Sequence, residues 1–260
     1  MLPAFLRPAF VCESDYGPRY VVHDTVFDAH VLINDDTMHG WQFRAPERLD
    51  EPTSYYSRAS PVAELFAALP RGARVEVAGL GVGTMAALAP EGCRLRFHEI
   101  DPAVIAIATE PTLFTFLTRS RARWSVVHGD ARAGVASSQP GTRALVVVDA
   151  FFGDAVPHEF LVRDVVQSFA RTLKRSGLLA FHITSTHRQD DHRPALAAAA
   201  EGLACAWKET ASPQLEHDPT LEIDPAYDLA APVVSRWAVL SPDARRVDAM
   251  VVRDGWHRFG

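Results

Sequence analysis

Residues 74–84 read Arg74-Val75-Glu76-Val77-Ala78-Gly79-Leu80-Gly81-Val82-Gly83-Thr84. The apolar run at 75–78 suits a buried strand. The alternating glycines suit a turn that brings backbone close to a ligand, because no Cβ stands in the way. Residues 84–89 then open a helix. Three later apolar runs also stop at a glycine or a carboxylate: Phe97-His98-Glu99-Ile100-Asp101, Val126-Val127-His128-Gly129-Asp130 and Val146-Val147-Val148-Asp149. In an open α/β sheet, strand ends of this kind line the crevice where ligands bind.

The alternation continues outward. Strands are expected at 95–98, 124–128, 145–148 and 177–183, with helices at 102–108, 160–173 and 194–202 and a late strand at 236–240. This pattern predicts an α/β fold with a Rossmann-like, doubly wound, mostly parallel sheet covered on both faces. Upstream, residues 10–43 alternate in the manner of strands around the turn chemistry of Asn34-Asp35-Asp36, which predicts a hairpin or three-stranded sheet. Ser60-Pro61 reads as a helix N-cap followed by proline at the first helical position. The expected organisation is a small N-terminal β-subdomain over 1–58 and a nucleoside-binding catalytic domain over 59–260. Residues 213–232, proline-rich and acidic, are expected to form an irregular loop that could act as a lid.

Composition bounds the function. The 260 residues are 48% hydrophobic and 22% charged, enough for a full-sized core. With 26 basic against 32 acidic residues and a net charge of −6, no basic block offers itself to nucleic acid. No apolar run reaches the eighteen or so residues of a membrane span, so no membrane partner is expected. Cys12, Cys93 and Cys205 are odd in number and far apart, unlike a disulfide framework. The first residues lack a signal-peptide pattern, and a cytoplasmic protein is expected.

The glycine turn gains meaning from Glu99, 16 residues after Gly83 and at the end of the next strand. A carboxylate there can accept hydrogen bonds from both hydroxyls of a ribose, each worth roughly 1.5–3 kcal/mol. A dinucleotide site would more typically read G-x-G-x-x-G, whereas the third glycine here comes one residue early. Asp130 stands where a carboxylate can accept from an adenine amino group. Gly79, Gly81, Gly83, Glu99 and Asp130 together look like the S-adenosylmethionine-type pocket of class I methyltransferase-like folds.

The stretch Val146-Val147-Val148-Asp149-Ala150-Phe151-Phe152-Gly153-Asp154 sharpens this likeness, with two carboxylates five residues apart on one loop. It resembles the D-x-x-D loop of the spermidine synthases, the polyamine aminopropyltransferases, and most closely their divergent bacterial relatives. Glu99-Ile100-Asp101-Pro102, Gly129-Asp130-Ala131-Arg132 and the strand at 177–182 fall in the family's order. Thr37-Met38-His39-Gly40-Trp41-Gln42 and Ser54-Tyr55-Tyr56 resemble its substrate-gating elements. The resemblance implies transfer of an aminopropyl group from decarboxylated S-adenosylmethionine to a polyamine or other small amine. Asp149 would meet the attacking amine, Tyr55 orient it, and Asp154 hold its distal ammonium. Gly79, Gly81, Gly83, Glu99, Asp101, Asp130, Ala131 and Gln42 would bind the donor, with no metal. It also implies a homodimer, as family members commonly pair.

The chain departs from the family in three places: Phe151 and Phe152 replace small polar residues in a loop one residue longer, Tyr55-Tyr56-Ser57 lacks a glutamate, and the D-G-x-x-Q element is blurred, with Asn34-Asp35-Asp36 nearby and Gln42 a candidate for its glutamine. Methyl transfer from intact S-adenosylmethionine, or nucleoside binding without catalysis, are the alternatives on the same pocket. For Asp149 the plain alternative is a strand-end carboxylate capping its turn. His182, His187 and His192 with Asp190 and Asp191 match no ligand spacing and are expected to be solvated loop residues.

Overall fold

The computed structural model describes residues 5–34, 37–151, 156–184, 191–213, 215–216, 223 and 228–259. Its larger sheet grows from the quoted stretch. Strand β5 (Arg74–Ala78) lies between β6 (Arg94–Glu99) and β8 (Arg143–Val148), with β7 (Arg123–His128) beyond β6 and β9 (Leu173–His182) beyond β8. All these neighbours pair in parallel. Strands β11 (Val234–Ser241), β10 (Ala204–Ala211) and β12 (His257–Arg258) continue the sheet past β9 in antiparallel pairing.

Chain order therefore reverses between β5 and β8. One direction leads to β6 and β7, the other to β9, and the carboxyl ends of β5 and β8 flank the switch point at which such sheets bind ligands.

Helices cover both faces. Helix α1 (Pro61–Ala67), α2 (Met85–Leu88) and α8 (Ala244–Arg253) place Phe66, Met85 and Val247 in one core layer with Val75, Val77 and Trp237. Helix α3 (Pro102–Thr109) adds Val104 to that layer, and the short α4 (Phe116–Arg119) adds Leu117. Helices α5 (Ala131–Ala136), α6 (Arg163–Thr172) and α7 (Arg193–Ala199) place Val135, Phe169 and Leu196 against Val146 and Val148 in the other. Ser60 caps α1 through Ala63 N–H, with Pro61 at the first helical position as expected.

The N-terminal sheet has four antiparallel strands, β1 (Leu6–Cys12), β2 (Arg19–Asp24), β3 (Ala29–Asn34) and β4 (Thr37–Phe43), one more than the alternation suggested. Strand β1 escapes the pattern because it is largely exposed and its register slips between Pro8 and Phe10. Strand alternation sends Val22, Val31 and Ile33 to one face with Trp41 and Phe43. Val21 and Leu32 go to the other face, against Val82, Ile107 and Phe114. That second face seats the small sheet on the glycine turn and α3.

One feature of β5 is unusual for a central strand. Glu76, 1% exposed, is bonded by His98 Nε2 (2.6 Å), Ser138 Oγ (2.9 Å) and Arg143 Nε (2.6 Å). Burial alone would raise its pKa, but the bonds from His98, Arg143 and Ser138 hold the carboxyl below its usual range.

Candidate active site

Gly79 ends β5 in a left-handed conformation (φ 97°), followed by Gly81 (54°) and Gly83 (83°). The first of these positions requires glycine twice over. A Cβ on Gly79 would lie 2.3 Å from the carbonyl oxygen of Asp149, whose own N–H donates to Ala78 at 2.9 Å. Gly79→Ala is expected to cost at least about 1–3 kcal/mol through backbone strain. It should also displace Asp149 and lower the melting temperature; an unchanged melt would contradict the close approach.

Glu99 closes the turn from β6. Its Oε2 accepts Leu80 N–H (2.9 Å) and its Oε1 accepts Asp101 N–H (3.0 Å). Burial raises the pKa of this carboxyl against the pull of those backbone donors. Each oxygen keeps a free lone pair for a hydroxyl.

Asp130 follows Gly129 after β7 and caps α5 through Arg132 N–H. The Arg132 guanidinium also binds both of its oxygens and, outweighing burial, holds the carboxyl below its usual range. Ala131, buried, begins α5.

Two expected donor contacts serve as fasteners between the sheets. Asp101, 2% exposed, caps α3 through Ala103 N–H, accepts Ser14 Oγ and pairs with Arg19 at 2.7 Å. The Gln42 amide donates to Leu49 O and Thr115 Oγ1 and accepts Thr115 N–H. Both side chains bond across the seam that docks the N-terminal sheet. No glycine or carboxylate spacing reveals this, because Ser14, Arg19 and Thr115 lie 73 to 87 residues from their partners in the chain.

At the switch point Asp149 is held on both sides. Tyr56 Oη donates to Oδ2 at 2.7 Å, and His182 Nδ1 lies 2.7 Å from Oδ1. Tyr56, not Tyr55, thus reaches the carboxylate. Burial and then the neighbouring Asp149 push the Tyr56 phenol well above its usual range, which keeps it a donor. Both tyrosines lie on a 3-10 turn (Ser54–Tyr56) that begins at Ser54 with φ 56°. Tyr55 approaches His182 edge-on, with ring centroids 5.1 Å apart, and its carbonyl accepts from Ser235 Oγ.

His182, expected as a solvated loop residue, is instead 2% exposed and ends β9; β9 pairs with β8, so adjacency in the sheet carries the imidazole to Asp149. Of its expected companions, Asp191 binds Arg193, while His187 and Asp190 lie outside the described residues. Asp154 and Phe152 also lie outside them.

His39, Tyr56, Gly79, Gly81 and Asp149 line a crevice of about 10 Å³, room for one water.

Comparison with known proteins places this geometry. No protein-family model matches the chain. A polyamine aminopropyltransferase from Vibrio vulnificus (strain CMCP6) is 32% identical over 133 residues, which span 48% of this chain and 42% of that relative; the chain thus covers less than half its length. Among solved structures, a probable spermidine synthase from Corynebacterium glutamicum ATCC 13032 aligns over 96% of this chain and 91% of its own, with a TM-score of 0.66 and 16% identity. The spermidine synthase from Thermotoga maritima gives a TM-score of 0.60 over 93% of this chain and 75% of its own, at 10% identity. A spermidine synthase in complex with the transition state analogue AdoDATO gives 0.58 over 93% and 74%, at 11% identity. The chain has the spermidine synthase fold, as the motif residues implied.

Proposed function

We propose that this chain, built on the spermidine synthase fold, transfers an aminopropyl group from decarboxylated S-adenosylmethionine to a polyamine or another small amine. The observation that carries the reading is Asp149, fixed by Tyr56 and His182 at the switch point and in backbone contact with the glycine turn. The sequence match to an aminopropyltransferase supports it.

In this reading Gly79, Gly81 and Gly83 admit the donor's adenosyl group, Glu99 binds its ribose, and Asp130 and Ala131 meet its adenine. The amine nitrogen attacks the carbon next to the sulfonium. A C–N bond forms, and the C–S bond breaks with its electron pair left on sulfur, releasing neutral methylthioadenosine. The amine sheds one proton. An alkylammonium has a pKa near 10.4, so neutralising it at pH 7 costs about 4–5 kcal/mol unless a base sits beside it. Asp149 holds the nucleophile in line, with the Tyr55 ring beside it. Asp154 would bind the far ammonium.

Mixing the protein with decarboxylated S-adenosylmethionine and putrescine should give methylthioadenosine and spermidine by mass spectrometry. Nucleoside binding without product from any diamine or polyamine would sink the reading. Calorimetric competition should favour the decarboxylated donor over intact S-adenosylmethionine, whose extra carboxylate would face Asp149; the reverse order would point to methyl transfer.

The reading also takes 1–58 as a substrate-gating subdomain on a catalytic domain at 59–260, in a cytoplasmic homodimer. Free Cys12, Cys93 and Cys205 suit a reducing compartment, and β1 offers a sheet edge with exposed Phe10 and Val11. Light scattering should give twice the chain mass; a monomer at micromolar concentration would remove the dimer. No helix among the described residues is long and apolar enough to cross a membrane.

A further inference from the structure

His182 is 2% exposed and enclosed by rings. Its imidazole stacks on Trp237 with centroids 4.5 Å apart and planes 6° apart, and it meets Tyr55, Tyr56 and Phe151 edge-on at 5.0–6.0 Å. One nitrogen is accounted for: Nδ1 lies 2.7 Å from Asp149 Oδ1. The other, Nε2, is buried with no hydrogen-bond partner among the described residues. Buried polar atoms are rarely left so, and one beside a reactive carboxylate calls for an explanation in function.

Protons decide what the pair does. Two acceptors cannot sit 2.7 Å apart without a proton between them, so an ionised Asp149 faces an Nδ1–H, and neutral His182 then presents a bare Nε2. Asp149 already accepts Tyr56 Oη as well. Both carboxylate oxygens are thus engaged, one by each neighbour. Ordinary imidazoles, with pKa about 6.5, lie closer to an alkylammonium at about 10.4 than carboxylates at about 3.9. Among the described residues the titratable groups facing the ring are Asp149 from β8 and Tyr55 and Tyr56 from the 3-10 turn. Strand β11 presents the neutral Trp237, and the end of β8's loop the neutral Phe151.

We propose that His182 is the general base of the site: its Nε2 takes the proton released by the attacking amine, while Asp149 orients the imidazole through Nδ1. This rests on the aminopropyl-transfer reading and deepens it. The amine's N–H bond breaks as the Nε2–H bond forms, and the resulting imidazolium lies between the Asp149 carboxylate and the face of Trp237, both of which stabilise positive charge. The Tyr55, Tyr56 and Phe151 rings stand edge-on around the imidazole.

The test pairs kinetics with nuclear magnetic resonance. His182→Asn keeps a donor where Nδ1–H stood, so Asp149 stays placed, but it cannot carry the proton. Its kcat is expected to fall by about 10²–10⁴-fold with little change in KM for the donor. The rise of kcat with pH that reports imidazole deprotonation should vanish. A variant with the wild-type rate and pH profile overturns the assignment. In the wild-type protein, ¹⁵N shifts should show Nδ1 protonated and Nε2 bare, with Nε2 shifting when putrescine is added in the presence of methylthioadenosine. A resting Nε2–H tautomer, or no shift with bound putrescine, overturns it even if the variant fails to fold. Should the wild type form no product while Nε2 responds to the diamine, aminopropyl transfer falls and His182 stands as the amine-facing base of a different reaction.

Discussion

Asparagine at Asp149 is expected to lower the rate of aminopropyl transfer by about 10²–10⁴-fold while leaving nucleoside binding within a few-fold of the original. The substitution is nearly isosteric, and Tyr56 Oη and His182 Nδ1 both lie 2.7 Å from the carboxylate oxygens it replaces. An amide presents one acceptor and one donor where the aspartate presents two acceptors. Either Tyr56 or His182 must then turn its hydrogen or its tautomer, and the negative charge that aligns them is gone. The close approach of Gly79 is to the Asp149 backbone, which asparagine preserves, so the donor side should be spared. Single-turnover rates and calorimetry on the same sample separate the two effects. Full turnover in the variant would reduce Asp149 to a cap of its own turn, the plain alternative for such a residue.

The second large effect concerns stability. Glu76→Gln is expected to cost about 3–5 kcal/mol, because it leaves the buried Arg143 guanidinium without its counter-charge. Native domains commonly have only 5–15 kcal/mol of net stability, so the loss should be plain in urea unfolding. The pH dependence has a definite sign. The folded-state pKa of Glu76 lies below its ordinary value, so its contribution is present above the unfolded carboxylate pKa, about 4.3, and fades as pH falls through the folded one. The variant should therefore lose most at neutral pH and approach the parent in acid. A constant difference across that range, or none, would show that Glu76 is not held ionised by its neighbours. Replacing the pair together, as Glu76→Leu with Arg143→Met, should recover part of the loss, since removing both charges leaves neither orphaned.

The α/β fold was legible because it rests on local rules. A buried parallel strand needs a short apolar run, a tight strand-to-helix turn needs glycine, and a helix start needs a capping residue with proline behind it, as at Ser60-Pro61. Gly79, Glu99, Asp130 and Asp149 could all be found as the last residues of such runs. The added strand β1 and the antiparallel β10 and β12 were not: β1 is largely exposed and slips register between Pro8 and Phe10, β10 is mostly half-buried, and β12 is two residues long.

The sequence by itself therefore determined which residues reach the carboxyl edge of the sheet. The period of apolar residues sets where each strand ends, and the chemistry of the next residue sets what stands there. Only the tertiary structure decided how they combine. Pairing of β9 beside β8 brings His182 to Asp149, and the 3-10 turn over the sheet presents Tyr56 rather than Tyr55 to the same carboxylate. Docking of the N-terminal sheet draws Asp101 and Gln42 into structural bonds. Such choices depend on distances between groups 33 to 93 residues apart, which no local pattern encodes.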